Sequence, residues 1–187
     1  MGAVLETSRL VLRELTAADF GALYDVLADS DIMRHYPYTF DERRVRGWIS
    51  KNIERYRDFG FGLWAVVLKE TGGMIGDCGI TMQCINGRIK PEIGYHLHRD
   101  WQKRGYAREA ARACRDWAFE HTPFNTLYSY MKADNAPSIG VARSSGMQLR
   151  NTPTMRTSAA WSMPSRALNG RLKRAALSDK NRSIPVR

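Results

Sequence analysis

Residues 102–108, Gln-Lys-Arg-Gly-Tyr-Ala-Arg, could hold a phosphate. Gly105 and Ala107 keep bulk away from the main chain, while Lys103 and Arg104 add positive charge. A helical pattern begins at about Arg104, with Ala107, Ala110, Ala111, Cys114, Trp117 and Ala118 on one face. A helix that starts straight after a strand presents unpaired N–H groups and the positive end of its dipole, which together bind diphosphates. An ordinary strand-to-helix turn with exposed basic side chains fits the same residues. His96 and His98 stand two apart on the preceding strand, hence on one face, as a metal pair would. A metal needs about four ligands, or three and a water, and no third candidate is in view. Cys78, Cys84 and Cys114 have neither metal nor redox spacing, so no metal is expected.

These residues need elements to position them. In 92–98, Ile93, Tyr95 and Leu97 alternate with Glu92, Gly94 and His96, the period of a strand with two unlike faces. A first strand is expected over 8–14. Thr16 then caps a first helix that buries Phe20, Leu23, Tyr24 and Leu27 and ends near Ala28. After the loop His35-Tyr36-Pro37-Tyr38, Thr39 and Glu42 form a capping box for a helix to about Asp58. Its apolar face would be Val45, Trp48, Ile49, Ile53 and Tyr56. Strands over 61–69 and 74–84 meet at Thr71-Gly72-Gly73, and Asn86-Gly87 turns the chain into the 92–98 strand. That makes an antiparallel meander of three strands. The helix after Arg104 runs to about Glu120, so the strand at 126–132 should lie parallel to 92–98. A last helix spans 135–145, with Pro137 in its first turn and Gly146 at its end.

Length and composition fit one globular domain: 187 residues, 43% hydrophobic and 10% aromatic. No apolar run has the length of a membrane span, no signal peptide is recognisable, and three cysteines suit a reducing cytoplasm. The formal charge of +10 is concentrated at one end. Nine Lys and Arg against Asp179 alone lie in 147–187, leaving the preceding residues nearly neutral. This argues against nucleic acid as the partner of the domain. The reading therefore divides the chain into a domain over 1–147 and a basic tail over 148–187 that is disordered or aberrant.

Three motifs in order carry a family resemblance. Gln102-x-x-Gly105-x-Ala107 after the strand at 92–98 resembles the acetyl-CoA-binding motif of the GNAT superfamily of N-acetyltransferases. Residues 133–147, with Asn135, Ser138, Ala142, Gly146 and Met147, resemble a segment of the RimJ/RimL-like branch. Residues 7–13, Thr-Ser-Arg-Leu-Val-Leu-Arg, are similar to that branch's first strand. The likeness implies an α+β (mixed α/β) fold: a mostly antiparallel twisted sheet with a splayed parallel pair, flanked by about four helices. The two further apolar strands usual after the Gly-Met are not legible in 149–187. They are expected to be missing or altered, and a shift of reading frame near codons 148–152 would do this.

The resemblance also implies chemistry, namely attack of an amine on the thioester of acetyl-CoA. The pantetheine arm would pair with the main chain at Tyr95, His96 and Leu97, and the diphosphate with N–H groups from Gln102, Lys103, Arg104, Gly105, Tyr106, Ala107 and Arg108. Asn135 would reach the pantetheine, although an N-cap is an equal reading. Glu92 matches the family's strand base, whose pKa burial must raise, and a plain ion pair is its alternative. A backbone N–H near 95–97 would meet the oxyanion. The helix at 135–145 lacks the tyrosine that protonates the leaving thiolate in many relatives. Ser138 matches the serine used instead, or is merely a small first-turn residue. His35, Tyr36, Tyr38 and Trp48 would line the acceptor wall or simply pack. The acceptor would be a protein N-terminal amine or a small-molecule amine, no membrane is involved, and a homodimer is left open. Two competing readings are a coenzyme A-binding domain without turnover, motivated by the lost strands, and a tail that binds nucleic acid.

Overall fold

The computed structural model describes residues 2–85, 87–150 and 158–164. Its strands are β1 (Ala3–Glu6), β2 (Leu10–Arg13), β3 (Leu63–Leu68), β4 (Met74–Ile85), β5 (Arg88–Leu97), β6 (Thr126–Lys132), β7 (Gln148–Arg150) and β8 (Ser158–Pro164). Its α-helices are α1 (Phe20–Leu27), α2 (Glu42–Phe59), α3 (Tyr106–His121) and α4 (Ala136–Ser144). The strands form one sheet in the order β1-β2-β3-β4-β5-β6-β8-β7. Neighbours run antiparallel except β5 and β6, which α3 joins as a crossover and so makes parallel.

Pleating gives each face of the sheet its own helices. On β5, His96 meets Trp48 of α2, while the next residue back, Tyr95, reaches Ser138 of α4. Leu23, Val26 and Leu27 of α1 are buried, and so are Leu10, Leu12 and Trp64 in the sheet. α3 buries Ala110, Ala111, Cys114 and Ala118, small residues that let a helix lie close to the strands. Trp117 of α3 packs edge-on against Trp64, with centroids 4.9 Å apart.

The meander, the parallel pair, α3 and α4 lie where the sequence pattern places them, and the mixed α/β architecture stands. Four details differ. β1 was not expected; Ala3-Val4-Leu5 is too short an apolar run to stand out, and it is held by pairing with β2. Asp41, not Thr39, caps α2, accepting from the Arg44 N–H at 2.8 Å. On α2, Asn52 is fully buried and Ile53 is 44% exposed, because Asn52 serves the start of β3. Its Oδ1 accepts from the Leu63 N–H at 2.9 Å and its Nδ2 donates to Trp48 O at 2.9 Å.

The fourth correction concerns the C-terminal strands, which are altered in composition but not missing. β8 pairs with β6 from Thr126↔Pro164 to Lys132↔Ser158, and β7 pairs with β8. The main chain of β6 supplies the template, so pairing does not need the alternating apolar pattern that Ser-Ala-Ala-Trp-Ser-Met-Pro lacks. The rest of the expected tail lies outside the described residues.

Behind β2, Arg13 forms two hydrogen bonds to Asp19, at 2.9 and 2.7 Å. Asp19 also accepts from the N–H and hydroxyl of Thr16, locking the turn that leads into α1. Burial by itself pushes the Asp19 carboxyl up, but Arg13 and Thr16 outweigh it and hold it below the ordinary aspartate range. The sign follows: the contribution is full above the unfolded pKa of about 3.9 and is lost as pH falls through the lower folded value. Asp19→Asn should therefore cost about 2 kcal/mol in urea unfolding at pH 7, the scale for weakening a charged hydrogen-bonded pair. The gap should close below about pH 4; a gap that persists unchanged in acid contradicts the assignment.

Candidate functional site

The parallel pair separates almost as soon as it forms. Its register records one partnership, Glu92↔Tyr128. Beyond it, residues 94–97 of β5 pair with 76–79 of β4 on one side, and with no β6 residue in that register on the other. Side chains bridge the parting. The Glu92 Oε1 accepts from the Tyr130 N–H at 3.1 Å, and the Ser129 hydroxyl donates to Ile93 O at 3.1 Å. At the strand's end the Gln102 Nε2 donates to Leu97 O at 2.9 Å.

On the face toward α2, Glu92 and His96 stand four residues apart with Gly94 between them, two steps of the strand's period of two. Burial raises the Glu92 pKa to about 7, against the Tyr130 N–H and the positive Arg55, which favour its charged form. His96 points one ring nitrogen at Asp77, 2.7 Å away, and the other at the Tyr36 hydroxyl, 2.9 Å away. Asp77 also accepts from the Trp48 ring N–H at 2.9 Å. His98 has left β5 and accepts from the Asp100 N–H at 3.3 Å, so the two histidines do not share a strand face. Of the loop aromatics, Tyr36 joins this cluster, Tyr38 is 44% exposed beneath Arg44, and His35 lies 3.6 Å from Asp134.

On the opposite face, the Tyr95 hydroxyl donates to Ser138 O at 3.0 Å and so fixes the first turn of α4 beside β5. Asn135 caps that helix, its Oδ1 accepting from the Ser138 N–H at 3.2 Å. Ile93, Tyr95, Ser129, Ala142 and Ser145 line a narrow cleft between the strands and these helices. The buried Ser145 hydroxyl has no partner there among the described residues. Glu92 and Ser138, the two catalytic expectations, thus sit on opposite sides of the sheet.

The turn into α3 has an unusual backbone. Lys103 (φ 59°) and Gly105 (φ 84°) both adopt left-handed conformations. Gly105 is the helix N-cap, and the first intrahelical bond runs from the Glu109 N–H to Gly105 O. The N–H groups of Tyr106, Ala107 and Arg108 precede that bond and point out of the helix start. Lys103, Arg104 and Arg108 are exposed around them. Arg9 of the first hairpin closes the turn's other side, donating to Glu109 at 2.7 Å and to Arg104 O at 3.1 Å.

Sequence reasoning missed Asp77, Arg55 and Tyr130. Asp77 left a signal, a lone acid inside the otherwise apolar 75–80 run. Arg55 and Tyr130 left none, since an arginine on a basic helix and a tyrosine on a strand are ordinary.

Comparisons with known proteins agree with one another. Residues 9–148 match the family model of an acetyltransferase (GNAT) domain. The uncharacterized protein YkkB of Bacillus subtilis (strain 168) is 36% identical over 149 residues, 79% of this chain and 87% of that one. The uncharacterized N-acetyltransferase YnaD of the same organism is 28% identical over 145 residues, 77% of this chain and 82% of that one. Among solved structures, an acetyltransferase from Agrobacterium tumefaciens superposes with a TM-score of 0.75 at 33% identity, covering 85% of this chain and 92% of that one. RimL, a ribosomal L7/L12 α-N-protein acetyltransferase solved with coenzyme A, shares the fold at 17% identity, with a TM-score of 0.73 over 87% of this chain and 98% of that one.

The raised Glu92 pKa has a cost that can be measured. A carboxyl raised by folding holds its proton more tightly in the folded than in the unfolded chain. Its stabilising contribution is full below the ordinary value of 4.5 and is lost as pH rises through about 7. Glu92→Gln keeps an acceptor for Tyr130 and removes the charge. The variant should be more stable than wild type at pH 8 by about 1–2 kcal/mol, allowing for solvent screening, and equal to it near pH 4.5. Unfolding curves at the two pH values decide this, and a difference independent of pH contradicts it.

Proposed function

The chain belongs to the GNAT family of acetyltransferases, and from that premise we propose that it moves an acetyl group from acetyl-CoA to a primary amine by direct attack in a ternary complex. The acceptor is the α-amine of a protein or a small-molecule amine. The observation that carries the reading is the parting of β5 from β6 with a carboxyl of pKa about 7 at its vertex. A base with that pKa is half deprotonated at neutral pH and still strong enough to take a proton from an ammonium or a bridging water.

The roles divide by face. N–H groups over 102–108, at the N-terminus of α3, would hold the diphosphate, with Lys103, Arg104 and Arg108 supplying charge. On the side of β5 that faces the parting, the main-chain groups of Tyr95 and the N–H of Leu97 would pair with the pantetheine arm, while His96 turns its own toward β4 and Gln102 holds the Leu97 carbonyl; an N–H on the free side would meet the oxyanion. The Asn135 carbonyl oxygen serves as a cap, and its amide N–H groups would face the arm. Glu92 would deprotonate the amine from the α2 face. Ser138 would assist the thiolate from the α4 side, through a water because an alcohol is a weak acid.

A reading in which the domain binds coenzyme A without turnover drew its support from absent final strands. β8 along β6 removes that support.

The deciding experiment is thiol release from acetyl-CoA over a panel of amines and N-terminal peptides, with calorimetry of coenzyme A binding. We expect saturable binding and release with one acceptor class. Glu92→Gln should lower kcat about 100-fold, the lower end for a lost general base, with the KM for acetyl-CoA little changed. Gly105→Val, which forces a β-branched residue to a φ of 84°, should raise that KM about tenfold. Heats of mixing equal to buffer blanks for folded protein overturn the reading.

A further inference from the structure

Asp77 is the most deeply buried acid among the described residues, with no exposed surface. A carboxylate is costly there, and an apolar residue of similar size would commonly serve stability as well or better. Both of its oxygens are engaged. The Trp48 indole N–H, which can only donate, takes Oδ2 at 2.9 Å. His96 Nδ1 takes Oδ1 at 2.7 Å. With the carboxylate accepting on both oxygens, the proton of the second contact sits on Nδ1. The other imidazole nitrogen, Nε2, is then an acceptor, and the Tyr36 hydroxyl lies 2.9 Å from it.

We propose that Tyr36, His96 and Asp77 form a proton relay for the acceptor amine, with Tyr36 meeting the substrate and His96 and Asp77 positioned behind it. The inference rests on the acetyl-transfer reading above. The arrangement has the logic of a Ser-His-Asp triad with a phenol in place of the alcohol: the acid fixes the tautomer, and the tautomer fixes which way the hydroxyl proton points. Tyr36 also lines a cleft of about 240 Å³ with Leu27, Met33, Pro37 and Phe40, beside the loop before α2. Burial, followed by the nearby Asp77 and Glu92, pushes the ionisation of Tyr36 upward, so it works as a neutral phenol that passes a proton along.

The proton count explains why one base is not enough. An ammonium acceptor loses two protons as its nitrogen bonds the acetyl carbon and the carbon–sulfur bond breaks. One goes to Glu92 and on to solvent. The second leaves the nitrogen for the Tyr36 oxygen while the Tyr36 proton moves to His96 Nε2. The resulting imidazolium is held by Asp77, and its proton is returned through Tyr36 to the departing thiolate. Each group ends as it began. The relay thereby supplies a stronger route to the thiolate than α4, which has no tyrosine and offers only the Ser138 hydroxyl through a water. The groups facing His96 are Asp77 from β4, Trp48 from α2, Tyr36 from the loop, and Glu92 on its own strand.

The test uses the full chain and an amine that supports thiol release. Tyr36→Phe and His96→Gln should each lower kcat 30- to 100-fold, and the double variant should be no worse than the worse single, as residues acting as one unit require. Coenzyme A affinity and the melting temperature of Tyr36→Phe should stay at wild-type values. Two-bond proton–nitrogen correlation spectra should show wild-type His96 as the Nδ1–H tautomer, and Asp77→Asn should convert it to Nε2–H and lower kcat with it. Wild-type turnover with kcat within threefold in both single variants overturns the relay and leaves acetyl transfer standing, as does an Nε2–H tautomer in wild type. No turnover by wild type with any amine overturns acetyl transfer and the relay together.

Discussion

Every polar group of the main chain needs a partner, and this fold is organised around a place where a strand is denied one. A sheet normally closes its own ladder. Here β5 and β6 share one register pair and then part. Unpaired N–H and C=O groups inside a protein are costly, so the parting persists only because other groups occupy it. Glu92, Ser129 and Gln102 each lend a side chain where a strand would have stood. Those that remain free are the ones a strand-like ligand can use. The parallel connection through α3 makes the parting geometrically natural, since the crossover places a helix start at its mouth.

The pleat then sorts the chemistry. Alternation along β5 sends Glu92 and His96 to the α2 face and Tyr95 to the α4 face. An acceptor and a coenzyme arriving from opposite sides would meet at the strand between them. The two faces are also electrically unlike. The α2 face carries two acids, Asp77 and Glu92, inside the fold, and the opposite face carries buried thiols and small apolar residues. Folding alone gains nothing from burying those acids, and such placements cluster where proton transfer is needed.

Much of this was legible in the residues. Period-two alternation over 92–98, the glycine turns and the strand-helix-strand order of 92–132 were enough for the meander and the parallel pair. The limits were physical. Asn52 took a core position from Ile53 because a main-chain N–H at Leu63 needed an acceptor, and helical periodicity carries no information about that need. β8 forms on a template supplied by β6, so its own composition need not announce it. Asp77 and His96 are nineteen positions apart and meet only through the register of β4 with β5. The same holds for Tyr36, sixty positions from the ring it touches.

Glu109 stands in the first turn of α3, where a negative charge ought to repel the anion that the helix start is built to attract. Its carboxylate is instead saturated by Thr7, Ser8 and Arg9. Arg9 adds its guanidinium 4.3 Å over the Tyr106 ring. The amino-terminal hairpin is therefore an electrostatic shield: it cancels one charge so that the dipole behind it stays visible from outside. Drift in that hairpin, far from any reacting atom, would uncover that charge and weaken the positive field at the doorway.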